Sequence, residues 1–158
     1  SLELAMKSIG VHKAKNNRIP YAGEDGLEVN QLLIGKIPYK SLYIEKKYVC
    51  NGDGNILTYI VSPDAAFMRP NIILKKKDDN NFVNHSIRII DEFGEMLTRE
   101  DEEVSDFCAV VLISSPLNYD LSSFVYEDGN FIVVKIPPKD SGVSVAWSSY
   151  NNLDILNK

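Results

Sequence analysis

The chain has 158 residues, 44% of them hydrophobic and 25% charged, which is enough apolar material for one proper core. Its formal net charge of -5 argues against nucleic acid: phosphate binding needs concentrated Lys and Arg, and the basic run Lys75-Lys76-Lys77 is followed at once by Asp78-Asp79. No stretch approaches the roughly 18 consecutive apolar residues of a membrane span.

Ser1 to Pro20 reads as an amphipathic helix that stops at Arg18-Ile19-Pro20. Leu2, Met6, Ile9 and Lys13 fall on one face at i, i+4, i+7 and i+11, so the apolar stripe covers two turns before turning polar. An isolated helix under about 12 to 15 residues is marginal in water. This one must dock on the body or continue a longer helix, and a further apolar stretch is expected ahead of Ser1.

Tyr21 to Gly26 reads as a loop, and Leu27 to Leu33 as a short helical turn with Leu27, Leu32 and Leu33 on its apolar face. Gly35-Lys36-Ile37-Pro38 ends that turn, because glycine and proline break a helix and the residue before proline is pushed toward extended geometry. Asn51-Gly52-Asp53-Gly54 is the strongest turn signal in the chain, since Asn-Gly and Asp-Gly tolerate the positive φ of tight hairpins. It is expected to join strands over Leu42 to Cys50 and Asn55 to Ser62. Ser86 to Asp91 reads as a strand closed by Asp91-Glu92-Phe93-Gly94 and paired with Glu95-Met96-Leu97. Thr98 to Asp106 is nearly all acidic and polar, which predicts an exposed loop.

Phe107 to Ile113 is the most apolar run and the expected central strand. Asp128-Gly129 predicts a second hairpin between Ser123 to Tyr126 and Asn130 to Ile136, Val143 to Trp147 a last strand, and Asn151 to Leu156 a closing helical turn. With no repeat and no linker, residues 1–158 read as a single domain: 1–17 the end of an N-terminal helix, 18–158 a β-rich head. The fold class is α+β, with helices on one side of an antiparallel sheet.

Chemistry-bearing patterns are sparse. His12 and His85 are the only histidines, no His-x-x-x-His or Gly-x-Ser-x-Gly is present, and Ser114-Ser115 has no placed base, so no catalytic residue is assigned. Asn51, Asp53 and Asn55 alternate like part of a calcium cage. An EF-hand loop, however, needs a glutamate where this chain has Ser62, and a hairpin turn selects the same three residues. Asp140 with Ser141 is a second, weaker cation candidate; no metal ligand or cofactor is assigned. Asn84-His85-Ser86 satisfies a glycosylation sequon, a pattern short enough to arise by chance. Cys50 and Cys108 lie in or beside strand-like runs, far from any C-x-x-C spacing. They read either as two buried thiols or as a disulfide, which on the chain-entropy account would remove roughly 4 kcal/mol of unfolded-state freedom.

Several segments, in order, resemble the soluble part of bacterial type IV pilin-like proteins, in the branch that includes the pseudopilins of type II secretion. Asn16-Asn17-Arg18-Ile19-Pro20 is similar to that family's exit from its first helix. Gly35-Lys36-Ile37-Pro38-Tyr39-Lys40-Ser41-Leu42 resembles its glycine, apolar, proline, aromatic segment. Asp53-Gly54-Asn55-Ile56-Leu57-Thr58-Tyr59 resembles its hairpin, Ala109-Val110-Val111-Leu112-Ile113-Ser114 its apolar strand, and Val145-Ala146-Trp147-Ser148 with Leu153 its C-terminal strand and following leucine. The chain departs from the pattern at Tyr43, where glycine is usual, and at Ser115-Pro116-Leu117-Asn118, which replaces a glycine-containing turn. The acid pair that serves calcium in some major pseudopilins has no clear counterpart before Val143.

The resemblance implies a subunit of a type IV pilus-like or pseudopilus filament: a periplasmic head, anchored in the inner membrane by an apolar helix, acting through assembly with other subunits rather than catalysis. Leu2, Met6 and Ile9 would then hold the lower end of that helix to the head. The alternative is a free-standing β-rich binding module of the adhesin or carbohydrate-binding type, for which Tyr21, Tyr39, Tyr43, Tyr119, Tyr126, Trp147 and Tyr150 supply aromatic material.

Overall fold

The computed structural model describes residues 2–66, 86–98, 107–129 and 131–155. The Lys75-Lys76-Lys77 run, Asn84 and His85 of the sequon, and most of the acidic stretch from Thr98 to Asp106 lie outside the described residues.

Helix α1 (Leu2–Asn16) buries Ala5, Met6, Ile9, Gly10 and Lys13 along one side. Its end is local chemistry: Asn17 takes the left-handed conformation at φ 57° and donates its amide to the Lys13 carbonyl at 2.8 Å, an asparagine cap that closes the last turn. Ile19 then bonds to the Ala65 carbonyl at 3.0 Å, fixing the direction in which the chain leaves the helix.

Beyond the exit, Gly23–Glu24 (β1) and Leu27–Glu28 (β2) form a small hairpin through Asp25 and Gly26, both at positive φ. The loop predicted over 21–26 and the helical turn predicted over 27–33 are therefore corrected. Val29 donates to Ala22 and Ala22 to Leu32, so apart from one turn closed by the Leu32 amide on the Val29 carbonyl, this backbone bonds across to the residue ahead of β1. Ile34–Lys36 (β3) follows.

The strand expected over Leu42 to Cys50 is also corrected. Leu42, Tyr43 and Ile44 donate to Pro38, Lys40 and Tyr39, closing successive turns, and Lys46–Tyr48 is a 3-10 turn. Only its end pairs, through the Cys50–Ile56 bridge and the Leu57 amide on the Val49 carbonyl. The chain then runs through Thr58–Val61 (β4) and the short helix Pro63–Ala66 (α2). Ser86–Ile90 (β5) leads into its predicted turn, after which Met96 bridges back to Ile90. Cys108–Ser114 (β6), Val125–Asp128 (β7), Phe131–Lys135 (β8), Ser144–Ser149 (β9) and the helical turn Asn152–Ile155 (α3) complete the described elements.

The result is α+β: one N-terminal helix and a six-stranded antiparallel sheet in the order β2-β1-β3-β4-β6-β9. A three-stranded sheet, β5-β8-β7, departs from the all-antiparallel expectation, because β5 pairs with β8 in parallel. Side-chain alternation along β4 and β6 builds two cores. Tyr59, Val61, Val110 and Leu112 join Ala5, Met6 and Ile9 on the helix side, and Ile60, Val111 and Ile113 meet Ile87, Ile89, Ile132 and Val134 of the small sheet on the other. Covered on both faces, β4 is buried throughout, which is why its sequence shows no wet face.

Candidate functional site

The densest polar chemistry among the described residues gathers where α1 leaves for the head. Arg18 pairs with the Glu28 carboxylate and also donates Nε to the Ala66 carbonyl at 2.6 Å. Glu28 Oε1 accepts the Tyr21 amide at 2.9 Å, and the Glu28 amide donates to Ser41 Oγ at 2.9 Å. This one carboxylate therefore ties the helix exit to the first hairpin. Tyr59, fully buried on β4, donates its hydroxyl to the Pro20 carbonyl at 2.7 Å, and burial pushes its ionisation well above the usual phenol range.

Lys13 is buried as well. Its Nζ donates to the Tyr150 carbonyl at 2.6 Å and lies 3.7 Å from the centre of the Tyr150 ring, while the Tyr150 hydroxyl donates to the Asn17 carbonyl at 3.2 Å. These contacts clasp the C-terminal half of α1 to the end of β9. Helical periodicity puts Lys13 on the apolar face of α1, and a backbone carbonyl and an aromatic face accommodate the cation there. His12 Nδ1 donates to the Arg18 carbonyl at 3.1 Å, and burial, with Arg18 nearby, holds its pKa below the ordinary value.

At the other end of α1 the packing is apolar. Met6 and Ile9 are buried in the helix-side core and Leu2 is partly buried against it. Beside them an open groove of about 610 Å³ runs between Leu2, Met6, Ala146, Trp147 and Asn152.

The remaining candidates do not converge. Asn51 Oδ1 accepts the Asp53 and Asn55 amides at 3.0 and 3.1 Å, while Asn51 and Asn55 both donate side-chain amides to the Ser115 carbonyl, at 2.6 and 3.1 Å. The alternation that resembles a calcium cage is a hairpin turn bolted to the end of β6. Among the described residues no group of three His, Cys, Asp or Glu side chains is placed to hold a metal ion.

The disulfide reading is corrected, since Cys50 and Cys108 are free thiols, both half-buried. Asn51, next to Cys50, reaches Ser114 at the far end of β6 from Cys108. Six steps of about 3.3 Å put the two roughly 20 Å apart, far beyond disulfide reach. Burial pushes the Cys108 thiol up to about 12. Of the aromatic residues, Tyr21 and Tyr150 are buried, Tyr39 and Tyr119 half-buried, and Tyr43, Tyr126 and Trp147 exposed, spread over separate elements. No family model matches the chain, and neither does any curated protein or solved structure.

Proposed function

We propose that this domain is the head of a filament subunit, of the pilus-like or pseudopilus kind its sequence resembles, and that it acts by assembly. The observation that carries the reading is the two-sided character of α1. Ala5, Met6 and Ile9 bury one side in the head, while Leu4 and Val11, seven residues apart on the opposite side, stay 40% and 42% exposed. A helix that served only its own head would keep that side polar. Two apolar side chains two turns apart, set among Lys7, Ser8 and Lys15, give that side a contact point for another helix, and the clasp at Lys13 and Arg18 transmits the position of the helix to the sheet. In this reading the partners are other subunits and, through an apolar stretch ahead of Leu2, the bacterial inner membrane, with the head on the periplasmic side.

The test replaces Leu4 and Val11 by aspartate in the full-length protein. Loss of incorporation into filaments, with the melting temperature of the isolated head unchanged, supports the reading. Full incorporation, or a reading frame with no apolar stretch of about 20 residues before Leu2, refutes it.

A further inference from the structure

We propose that two surfaces on opposite layers of the head join copies of this chain head to tail, a basic tyrosine-bearing loop of one copy docking on the acidic Phe93 turn of the next. Tyr43 and Phe93 are the most exposed large apolar side chains among the described residues, at 94% and 83%. The two differ in the charge their own residues carry. The loop around Tyr43 presents Lys40, Lys46 and Lys47 to solvent with Tyr48 44% exposed, and its own acid, Glu45, is paired with Lys47 at 3.5 Å. The exposed Asp25 of the β1–β2 hairpin lies on the Lys40 side, where Lys40 donates its amide to the Gly26 carbonyl, so Lys46 and Lys47 carry the basic face. The turn around Phe93 exposes Glu92 and Glu95, carries no Lys or Arg, and continues into Met96 and Leu97, 44% and 46% exposed.

Both surfaces are shaped rather than loose. Tyr43 is held at φ 59°, a left-handed conformation that costs a bulky residue free energy and returns no packing within the chain at this exposure. Asp91 Oδ1 accepts the Phe93 and Glu95 amides at 2.9 and 2.8 Å, which fixes the shape of the acidic turn.

Geometry and charge select the occupant. The basic loop is rooted by Leu42 and Val49 in the helix-side core, whereas the acidic turn grows from β5, whose Ile87 and Ile89 pack on the other face of the large sheet. One copy cannot bring them together. A two-fold dimer through either surface would set like charges face to face, so the complementary contact is heterologous. It leaves a basic loop free at one end and an acidic turn free at the other, and so propagates. No residue of α1 takes part, and the contact stands or falls apart from the filament reading.

Sedimentation velocity on this chain at up to about 1 mM tests it, as befits a contact of the small, transient class. Self-association is expected at 0.1 M salt and is weakened about tenfold at 1 M, where the Debye length falls from about 10 Å to about 3 Å. Lys40→Glu/Lys46→Glu/Lys47→Glu and Glu92→Lys/Glu95→Lys should each be monomeric alone, and mixing the two should restore association. Tyr43→Gly, which relaxes the turn, should weaken it while the fold is retained. A wild-type chain monomeric throughout, association indifferent to both charge reversals, or a mixture that stays monomeric while both variants melt normally overturns the proposal. Binding of the monomer to anionic lipid vesicles through the same lysines would assign the loop to a membrane instead, and would overturn it too.

Discussion

Replacing Ile9 by alanine measures how firmly α1 is fastened to the head. Ile9 is fully buried and faces the helix-side core, where Tyr59 and Leu112 lie. The substitution removes three carbons, worth about 0.8 kcal/mol each in transfer free energy, and leaves a cavity that a layer pinned at Lys13 and Arg18 cannot easily close. The sum falls at about 3 kcal/mol, within the range for isoleucine-to-alanine changes in cores. For a domain of this size that lowers the melting temperature by roughly 6 to 12 °C. Urea unfolding followed by circular dichroism, with the slope checked for constancy, gives the number directly. Val11→Ala is the internal control. It lies two positions further along the same helix, on the exposed side, and should change stability by less than about 0.5 kcal/mol. Equal effects at the two positions, or a loss at Ile9 below about 1 kcal/mol, would mean the helix is not seated on the sheet as described.

Two further substitutions examine the helix exit. Tyr59→Phe strands the buried Pro20 carbonyl without its donor and should cost about 1 to 3 kcal/mol, read from the same urea curves; no change would mean that the hydroxyl is dispensable there. His12 has its pKa lowered in the fold, chiefly by burial, from an ordinary value of 6.5. The unfolded chain therefore binds its proton more readily than the folded one. The stability that His12 contributes is fully present above pH 6.5 and is lost as the pH falls through that value toward the lower folded pKa. Melting temperatures of wild type and His12→Gln between pH 8 and pH 5 should converge at the acid end if the wild type is the more stable at pH 8. Parallel curves would refute the assignment.

Much of the framework was legible in local pattern. The helix, the turn after β5, the apolar strand β6, the β7–β8 hairpin and the final strand with its helical turn all announced themselves through periodicity or paired turn residues, signals that act within a few positions. The errors share a cause. Strands β1 and β2 are two residues long, too short to show alternation, although Asp25-Gly26 carries the same hairpin signal as Asn51-Gly52 and Asp128-Gly129. Leu42 to Cys50 contains apolar residues at strand-like spacing, yet Leu42 and Val49 are anchors dropped into the core from a loop, a distinction settled by tertiary contacts. The parallel pairing of β5 with β8 joins segments some forty residues apart, beyond the reach of any pattern in the intervening chain. The polar clasp was half-visible. Lys13 stood on the right face, but its partner Tyr150 is 137 residues away, and only the fold brings them together.

The fastening of α1 is graded along its length, and that gradient has a mechanical meaning for a domain proposed to be carried by its helix. Residues 12–20 are held by directional bonds: Lys13 to Tyr150, Asn17 to the Tyr150 hydroxyl, Ile19 to Ala65, Arg18 to Ala66 and Glu28, and Pro20 to Tyr59. The first turns are held by the apolar contacts of Ala5, Met6 and Ile9 beside a groove open to solvent at Leu2 and Trp147. Apolar contact is non-directional and yields gradually, whereas a short buried hydrogen bond holds a defined position. A load entering at Leu2 would lift the first turns before reaching the clasp, leaving the head oriented while the upper helix adapts to its surroundings. Native-state hydrogen exchange reads the gradient directly. Amides of Met6 to Gly10 should exchange through a partial opening of lower free energy than those of Lys13 to Asn17, and Lys13→Met should narrow the gap by weakening the lower end. Uniform protection along the helix would mean that apolar packing alone seats it, and that the clasp contributes position without strength.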